Sequence, residues 1–365
     1  MVKILIFSRE SNWFGGVVNF IDLMKKSYSS ETASEQFLVG RRKGRFGLIL
    51  RPFTPFVDAV KLFFRVVTHK YDCFHLNPSL NGPSLIRDGL FILVLKLLNC
   101  KNILLCFHGW ELTTEKTIET SWWRKWLFVK IFCNVDCILV LARPFKTWLV
   151  RQGCDDRKIK LFTTMFDGKF LTNEKRGKLP ENANINLLFL SRFVSEKGIY
   201  ELLEAFKSVA SEHDNVRLIF AGTGPEETKM QEWVDKEGLS DKIEFKGYVR
   251  DDDKADVLKQ SHIFTFPTYY GEGCPVSLLE AMAAGMAIIT TPVGGIPDII
   301  EHDKNGILLD AKVTADNIKT AIEALLNSPD CIHNMGEINR IEAWEKYDAP
   351  VVTQFFEDIY KGGCR

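Results

Sequence analysis

The chain has 365 residues, 46% of them hydrophobic and 26% charged. This is enough apolar material for two compact domains with separate cores, and it excludes a disordered or low-complexity chain. Lysine plus arginine and aspartate plus glutamate both total 47, and a zero net charge argues against a nucleic-acid partner.

The balance hides an asymmetry, because residues 1–170 hold 26 basic and 14 acidic side chains whereas residues 171–365 hold 21 and 33. The nine cysteines are odd in number and form no C-x-x-C pair, which predicts reduced thiols in a cytoplasmic protein. The opening "MVKILIFSRE" is a short strand-like run without the long apolar core and cleavage site of a secretory leader. The most apolar stretch, residues 90–107, is broken by Lys96, Asn99, Lys101 and Asn102, so no membrane-spanning helix is predicted.

In chain order, an apolar strand at 3–7 ("KILIF") is followed by a glycine-containing loop at 8–16 and an apolar-periodic helix at 17–26. Strand, glycine loop and helix in that order open a doubly wound α/β domain. Further strands are predicted at 71–76, 101–108, 137–142 and 158–162, with helical patterns between them. Residues 168–184 are polar and contain glycine and proline, which marks a domain boundary. A second series follows, with strands at 185–190, 216–222, 242–247, 263–267 and 286–291. The expected organisation is an N-terminal domain over 1–168, a C-terminal domain over 185–345 and a helix over 346–365 that crosses back to the first domain.

Three stretches carry chemistry. In "YYGEGCPVSLLEAMAAGMAIITTPVGG" (269–295), Pro275 and Gly285 bracket a helix over 275–284. Unpaired N–H groups at its start, with the positive end of the helix dipole, favour an anion such as a diphosphate. Glu280 lies too deep in that helix to cap it, beside Leu279, Ala281 and Met282. A carboxylate taken out of water needs a partner. The vicinal hydroxyls of a ribose or sugar would serve, and so would a salt bridge to lysine or arginine.

In "FLSRFVSEKGIYELLEAF" (189–206), a strand delivers Arg192 and, five residues on, Lys197. Ligands of open α/β sheets bind beyond the carboxyl ends of strands, so two cations there either neutralise a diphosphate or stand solvated at the surface. "IFAGTGPEE" (219–227) is a strand and glycine turn that lacks the third glycine of G-x-G-x-x-G, so it points only weakly to a nicotinamide or flavin. "RDDDKAD" (250–256) has the spacing of a D-x-D metal motif. It is read as a helix start, where acids complement the dipole.

Arg192 and Lys197, "AGTGPE", "FKG" at 245–247, Glu272 with Glu280, and "TPVGG" at 291–295 occur in an order and spacing that resemble family 4 glycosyltransferases over about residues 185–310. The resemblance implies an α/β GT-B fold, two Rossmann-like domains facing each other across a cleft. It also implies transfer of a sugar from a nucleotide diphosphate sugar with retention of configuration, and no cofactor or essential metal. Carried over by position, Arg192 and Lys197 hold the diphosphate, Glu280 the ribose hydroxyls, Glu272 with the backbone at Cys274, Pro275 and Val276 the donor sugar, and Phe245 and Gly247 the base. Gly15 and Gly16 match a glycine loop near the phosphates, and His108 matches a histidine at a strand end that contacts the donor sugar. Three positions depart from the family pattern: Ser191 stands for a glycine, Ala142 for a serine, and no asparagine precedes Asp167.

The implied partners are a nucleotide-sugar donor and a saccharide or lipid-linked saccharide acceptor, in bacterial surface polysaccharide assembly. A nucleotide-sugar epimerase of similar fold and a catalytically silent partner module are the alternatives. A last feature concerns place. Trp122, Trp123 and Trp126 lie beside Arg124, Lys125 and Lys130, and Arg41, Arg42 and Lys43 form a second basic cluster. Tryptophan with cations suits an anionic membrane surface and a peripheral position at the inner face of the cell membrane. The same tryptophans could instead belong to the core.

Overall fold

The computed structural model describes residues 1–9, 15–39, 53–180, 183–310 and 312–363. They form two compact units, residues 1–164 with 349–365 and residues 165–348. Unit 1 runs β1 (Val2–Ser8), α1 (Gly16–Lys26), β2 (Thr32–Leu38), α2 (Thr54–Thr68), β3 (Cys73–Leu76), β4 (Ser79–Leu80), α3 (Gly82–Leu97), β5 (Ile103–Phe107), β6 (Gly109–Trp110), α4 (Leu112–Glu119), α5 (Trp122–Ile131), β7 (Cys137–Val140), α6 (Arg143–Gln152) and β8 (Ile159–Leu161). Unit 2 runs β9 (Ile185–Leu190), α7 (Ile199–Glu212), β10 (Val216–Ala221), α8 (Glu227–Lys236), β11 (Ile243–Gly247), α9 (Asp251–Gln260), β12 (Ile263–Phe266), α10 (Val276–Ala283), β13 (Ala287–Thr290), β14 (Ile307–Leu308), α11 (Ala315–Leu326) and α12 (Pro329–Lys346). The final helix, α13 (Ala349–Gly362), belongs to unit 1.

The sheet of unit 1 has the order β2-β1-β3-β5-β7-β8, and that of unit 2 the order β11-β10-β9-β12-β13-β14. Every pairing in both is parallel. Short apolar strands such as "CILV" and "AIIT" fit this arrangement, since parallel strands are covered on both faces. Right-handed crossovers place α2, α3 and α5 on one face of the first sheet, where α2 packs on α3 and α3 on α5. Against α1 and β1 lies α13. Its Phe356 is fully buried, its Tyr360 hydroxyl lies 2.6 Å from His75 Nδ1, and its Glu357 accepts from the Ser29 hydroxyl at 2.8 Å.

One sequence expectation changes here, that of the domain boundary. Cys133 and Cys154 lie side by side with Cα atoms 4.7 Å apart. They follow α5 and α6, helices brought together by tertiary packing that no cysteine spacing reveals. Residues 171–180, read from composition as a boundary, carry no regular structure yet are fastened to unit 2. The Arg176 guanidinium donates to the Leu258 carbonyl at 2.7 Å and to that of Ser261, and Lys178 pairs with Asp330 at 2.8 Å.

Candidate active site

In unit 2 the strand order reverses between β9 and β12, which are direct neighbours. Chains leaving the carboxyl ends of such a pair turn to opposite faces, which opens a crevice. After β9, a 3-10 turn at Ser195–Lys197 ends on Gly198 in a left-handed conformation and leads into α7. The loop after β12 returns to it, since Tyr269 and Tyr270 N–H groups donate to the Glu196 carbonyl at 3.0 and 3.1 Å. Lys197 Nζ donates to Glu272 Oε1 and lies 4.7 Å from the Tyr270 ring centre and 5.2 Å from that of Phe266. Arg192, on the same loop, is exposed and makes no side-chain hydrogen bond or ion pair among the described residues.

Two glycines hold these loops together by close backbone approach. A Cβ at Gly294, whose φ is 58°, would sit 1.8 Å from the Glu272 carbonyl oxygen, and one at Gly222 (φ 143°) 1.9 Å from that of Ser191. "AGTG" and "TPVGG" therefore set the positions of Glu272 and of the segment carrying Arg192, which explains why glycine-rich stretches accompany the charged residues.

Glu280 is buried in α10, as its neighbours predicted. Its partner is Lys254 of α9, whose Nζ donates to Glu280 Oε1. Burial raises the carboxyl pKa above its ordinary value, Lys254 opposes the rise, and Asp167 adds to it. The stretch "RDDDKAD", read as a helix start alone, thus also supplies this lysine. That is a correction, and nothing in the acidic run distinguishes Lys254 from a solvated cation. Tyr270 was the other omission, although it stands two residues before Glu272 in the stretch that drew attention.

The helix expected over 275–284 is Val276–Ala283, with Pro275 as its extended N-cap and no side-chain cap. Leu278 and Leu279 N–H groups donate back to the Pro275 carbonyl at 3.2 and 3.3 Å. The earlier N–H groups of the first turn have no intrahelical acceptor and remain for an anion. Cys274 is buried beneath this turn. At the carboxyl end of β11, Phe245 stacks on Phe220 with ring centres 5.4 Å apart, and the Gly247 carbonyl accepts from Gly222 N–H at 2.7 Å.

The remaining expected residues lie in unit 1. His108 follows β5, with its Nε2 2.9 Å from Asn77 Oδ1 and its ring against Phe20 and Phe162 at 5.0 and 5.2 Å. Burial pushes its pKa down to about 3, so the ring is neutral at physiological pH. Gly15 caps α1 and Gly16 begins it, and a Cβ at either would meet nothing within 4 Å.

A family model described as "Glycosyl transferases group 1" matches residues 172–342. N-acetyl-alpha-D-glucosaminyl L-malate synthase of Bacillus anthracis is 31% identical over 174 residues, which is 48% of this chain and 44% of that protein. The putative colanic acid biosynthesis glycosyltransferase WcaL of Escherichia coli K12 is 25% identical over 220 residues, 58% of this chain and 53% of that one. The chain spans about half the length of these curated relatives. Among solved structures, HepE of Anabaena in complex with UDP superposes with a TM-score of 0.74 over 99% of this chain and 100% of that one, at 15% identity. A glycosyltransferase from Rickettsia africae gives 0.74 over 99% and 98%, at 16% identity. The structural likeness establishes the fold as GT-B, with its two Rossmann-like units, and the match to the group 1 glycosyl transferases model is confined to residues 172–342.

Proposed function

We propose that the chain is a retaining glycosyltransferase that moves a sugar from a nucleotide diphosphate sugar to a saccharide or lipid-linked saccharide. The observation that carries this reading is the crevice of unit 2, where Arg192, without a side-chain partner among the described residues, shares the loop after β9 with Lys197, and Lys197 pairs with Glu272 of the loop after β12. Both carboxylates of the site are satisfied by lysines, Glu272 by Lys197 and Glu280 by Lys254. An incoming diphosphate competes for Lys197 and joins Arg192 and the first turn of α10, which frees Glu272 to accept from sugar hydroxyls. Ribose hydroxyls likewise complete the bonding of Glu280. Phe245 and Gly247 line the base. In unit 1 the proposal assigns His108 to the donor sugar as a neutral hydrogen-bonding ring, and the Gly15–Gly16 loop to its phosphates.

In the reaction the bond between anomeric carbon and phosphate oxygen breaks, and the nucleoside diphosphate leaves with the electron pair. The acceptor oxygen bonds the same face of the sugar, and its proton passes to a donor phosphate oxygen. Arg192, Lys197 and the α10 N–H groups stabilise the leaving charge as preorganised donors. No cofactor or essential metal enters this scheme, and activity is expected to survive a chelator. Loss of activity with EDTA that magnesium restores would contradict that part. The name of the WcaL relative supports an acceptor in surface polysaccharide assembly. We place the protein as peripheral at the inner face of a bacterial cell membrane.

The test is a panel of uridine, guanosine and adenosine diphosphate sugars, read by thermal shift and by turnover. A cognate donor at a hundredfold its Kd stabilises the binding unit by about 2.7 kcal/mol. Silence across the panel would remove the reading. A modified sugar released from donor alone would replace it with epimerisation.

A further inference from the structure

The outer surface of α2 is apolar where a soluble helix is polar. Asp58, Ala59 and Leu62 point inward and are buried, whereas Phe56, Val57, Val60, Phe63, Phe64 and Val67 stand exposed on the opposite side. Their spacing of i, i+4, i+7/i+8 and i+11 makes one stripe along a helix about 22 Å long. The neighbouring α3 exposes Ile86, Leu93 and Leu97, the last at 74%. Next to it, α5 exposes Trp122 at 81%, Trp123 at 50% and Trp126 at 58%. The tryptophans left open between core and surface by the sequence are therefore at the surface. Isolated exposed apolar residues need no explanation, but stripes on three adjoining helices do.

The charge on these helices has one sign. Their only acidic residues, Asp58 and Asp88, are buried, and Asp88 is held by the Ser84 hydroxyl at 2.8 Å and by Arg87. Lys61, Arg124 and Lys130 are exposed, and Arg124 lies over the Trp123 ring at 5.1 Å. Among the described residues no helix is long and apolar enough to cross a membrane. An apolar, aromatic surface whose own exposed charges are all cationic matches one occupant best, the headgroup and upper acyl region of an anionic leaflet. A second copy fits worse, because an isologous contact would press the same cations together. The basic cluster Arg41, Arg42 and Lys43 lies outside the described residues.

We propose that the outer layer of unit 1, formed by α2, α3 and α5, docks on an anionic bilayer surface with the phenylalanine stripe of α2 as the inserted element. The proposal deepens the peripheral placement given above, on which it rests, and is independent of the transfer reaction. The test uses the full chain in flotation with vesicles of phosphatidylcholine alone or with about one-third phosphatidylglycerol. The wild type is expected to float with the anionic vesicles at low salt at least about tenfold more than with neutral ones, and less at high salt. Phe56→Gln, Val60→Gln and Phe64→Gln together should lower binding about tenfold or more at every salt concentration. Arg124→Gln with Lys130→Gln should lower it chiefly at low salt. Both variants change exposed positions and should keep the nucleotide-induced thermal shift of unit 2, which separates lost docking from lost folding. Absence of flotation by the wild type, flotation indifferent to the α2 changes, or a dimer that the α2 changes dissociate in place of vesicle binding would each overturn the proposal. Flotation that behaves as expected while no lipid-linked saccharide is accepted would support the surface and leave a saccharide without a lipid as the acceptor.

Discussion

Both units are six-stranded parallel sheets with helices, yet the loops at the carboxyl ends of their strands are built on different constraints. In unit 2 the loops interlock through backbone approach, with Gly222 against Ser191 and Gly294 against Glu272, and Lys197 is paired with Glu272 across the crevice. In unit 1 a Cβ at Gly15 or Gly16 would meet nothing within 4 Å, and desolvation holds the His108 ring neutral. The outer helices diverge too, with α2, α3 and α5 exposing apolar stripes. The lesson is that unit 2 has its loop geometry fixed by its own packing, while the outer helices of unit 1 present an apolar face to what binds. This accounts for the family match lying wholly within unit 2.

The comparison breaks first at the cations. Arg192→Ala should cost about 2–4 kcal/mol in the barrier to transfer, roughly a thirty- to thousandfold loss of rate, by analogy with other anion-stabilising donors. A rate within threefold of wild type would show that the crevice of unit 2 does not carry the leaving group. Next come the glycines. Gly222→Ala and Gly294→Ala should each destabilise unit 2 by about 2–3 kcal/mol, since a Cβ must displace backbone. Gly15→Ala should leave stability within about 0.5 kcal/mol. Equal melting shifts for the three would remove the distinction between glycines packed on backbone and a glycine with free space.

Smaller effects sharpen it. Glu280→Gln should weaken donor binding about tenfold, because an amide accepts less strongly than a carboxylate from ribose hydroxyls. Its effect on stability has the opposite sense. The folded pKa of Glu280 is raised above the ordinary 4.5, so its contribution is full below that value and is lost as pH rises through the folded pKa. The variant should therefore melt no lower than wild type at pH 7, and wild type should gain on it as the pH falls toward 4.5. Unchanged donor affinity in the folded variant would remove the ribose assignment. The smallest effect is a null one. With a pKa of about 3, the His108 imidazole signal in NMR should not titrate between roughly pH 5 and 8. A midpoint near 6.5 would contradict its desolvation in unit 1.

How much of this was legible follows from the same contrast. The central strands of unit 2 are short apolar runs covered on both faces, and the segments that carry Arg192 and Glu272 are packed against Gly222 and Gly294. Sequence and structure agree there because local spacing and tertiary contact demand the same residues. By contrast, β2 reads "TASEQFL" and was not expected. It is an edge strand paired only with β1 and partly buried along most of its length, so it lacks the apolar run of a central strand. Lys254 was missed because its partner is 26 residues away, reached only when α9 and α10 are in place. Helix α2 has apolar residues both on its buried side, at Ala59 and Leu62, and on its exposed side, so its sequence does not say which stripe turns inward.

The central claim is that Arg192 and Lys197 in the crevice of unit 2 bind the diphosphate of a nucleotide sugar. Its most direct test is calorimetric titration of the wild type and the Arg192→Ala/Lys197→Ala double variant with a nucleoside diphosphate and with the matching nucleoside, the base being chosen from the donor panel. The account predicts that the double variant loses about a hundredfold or more in affinity for the diphosphate, from two charge-assisted contacts of roughly 1.5–3 kcal/mol each, while nucleoside binding through Phe245, Gly247 and Glu280 changes less than threefold. Equal losses for the two ligands, or an unchanged affinity for the diphosphate, would contradict it.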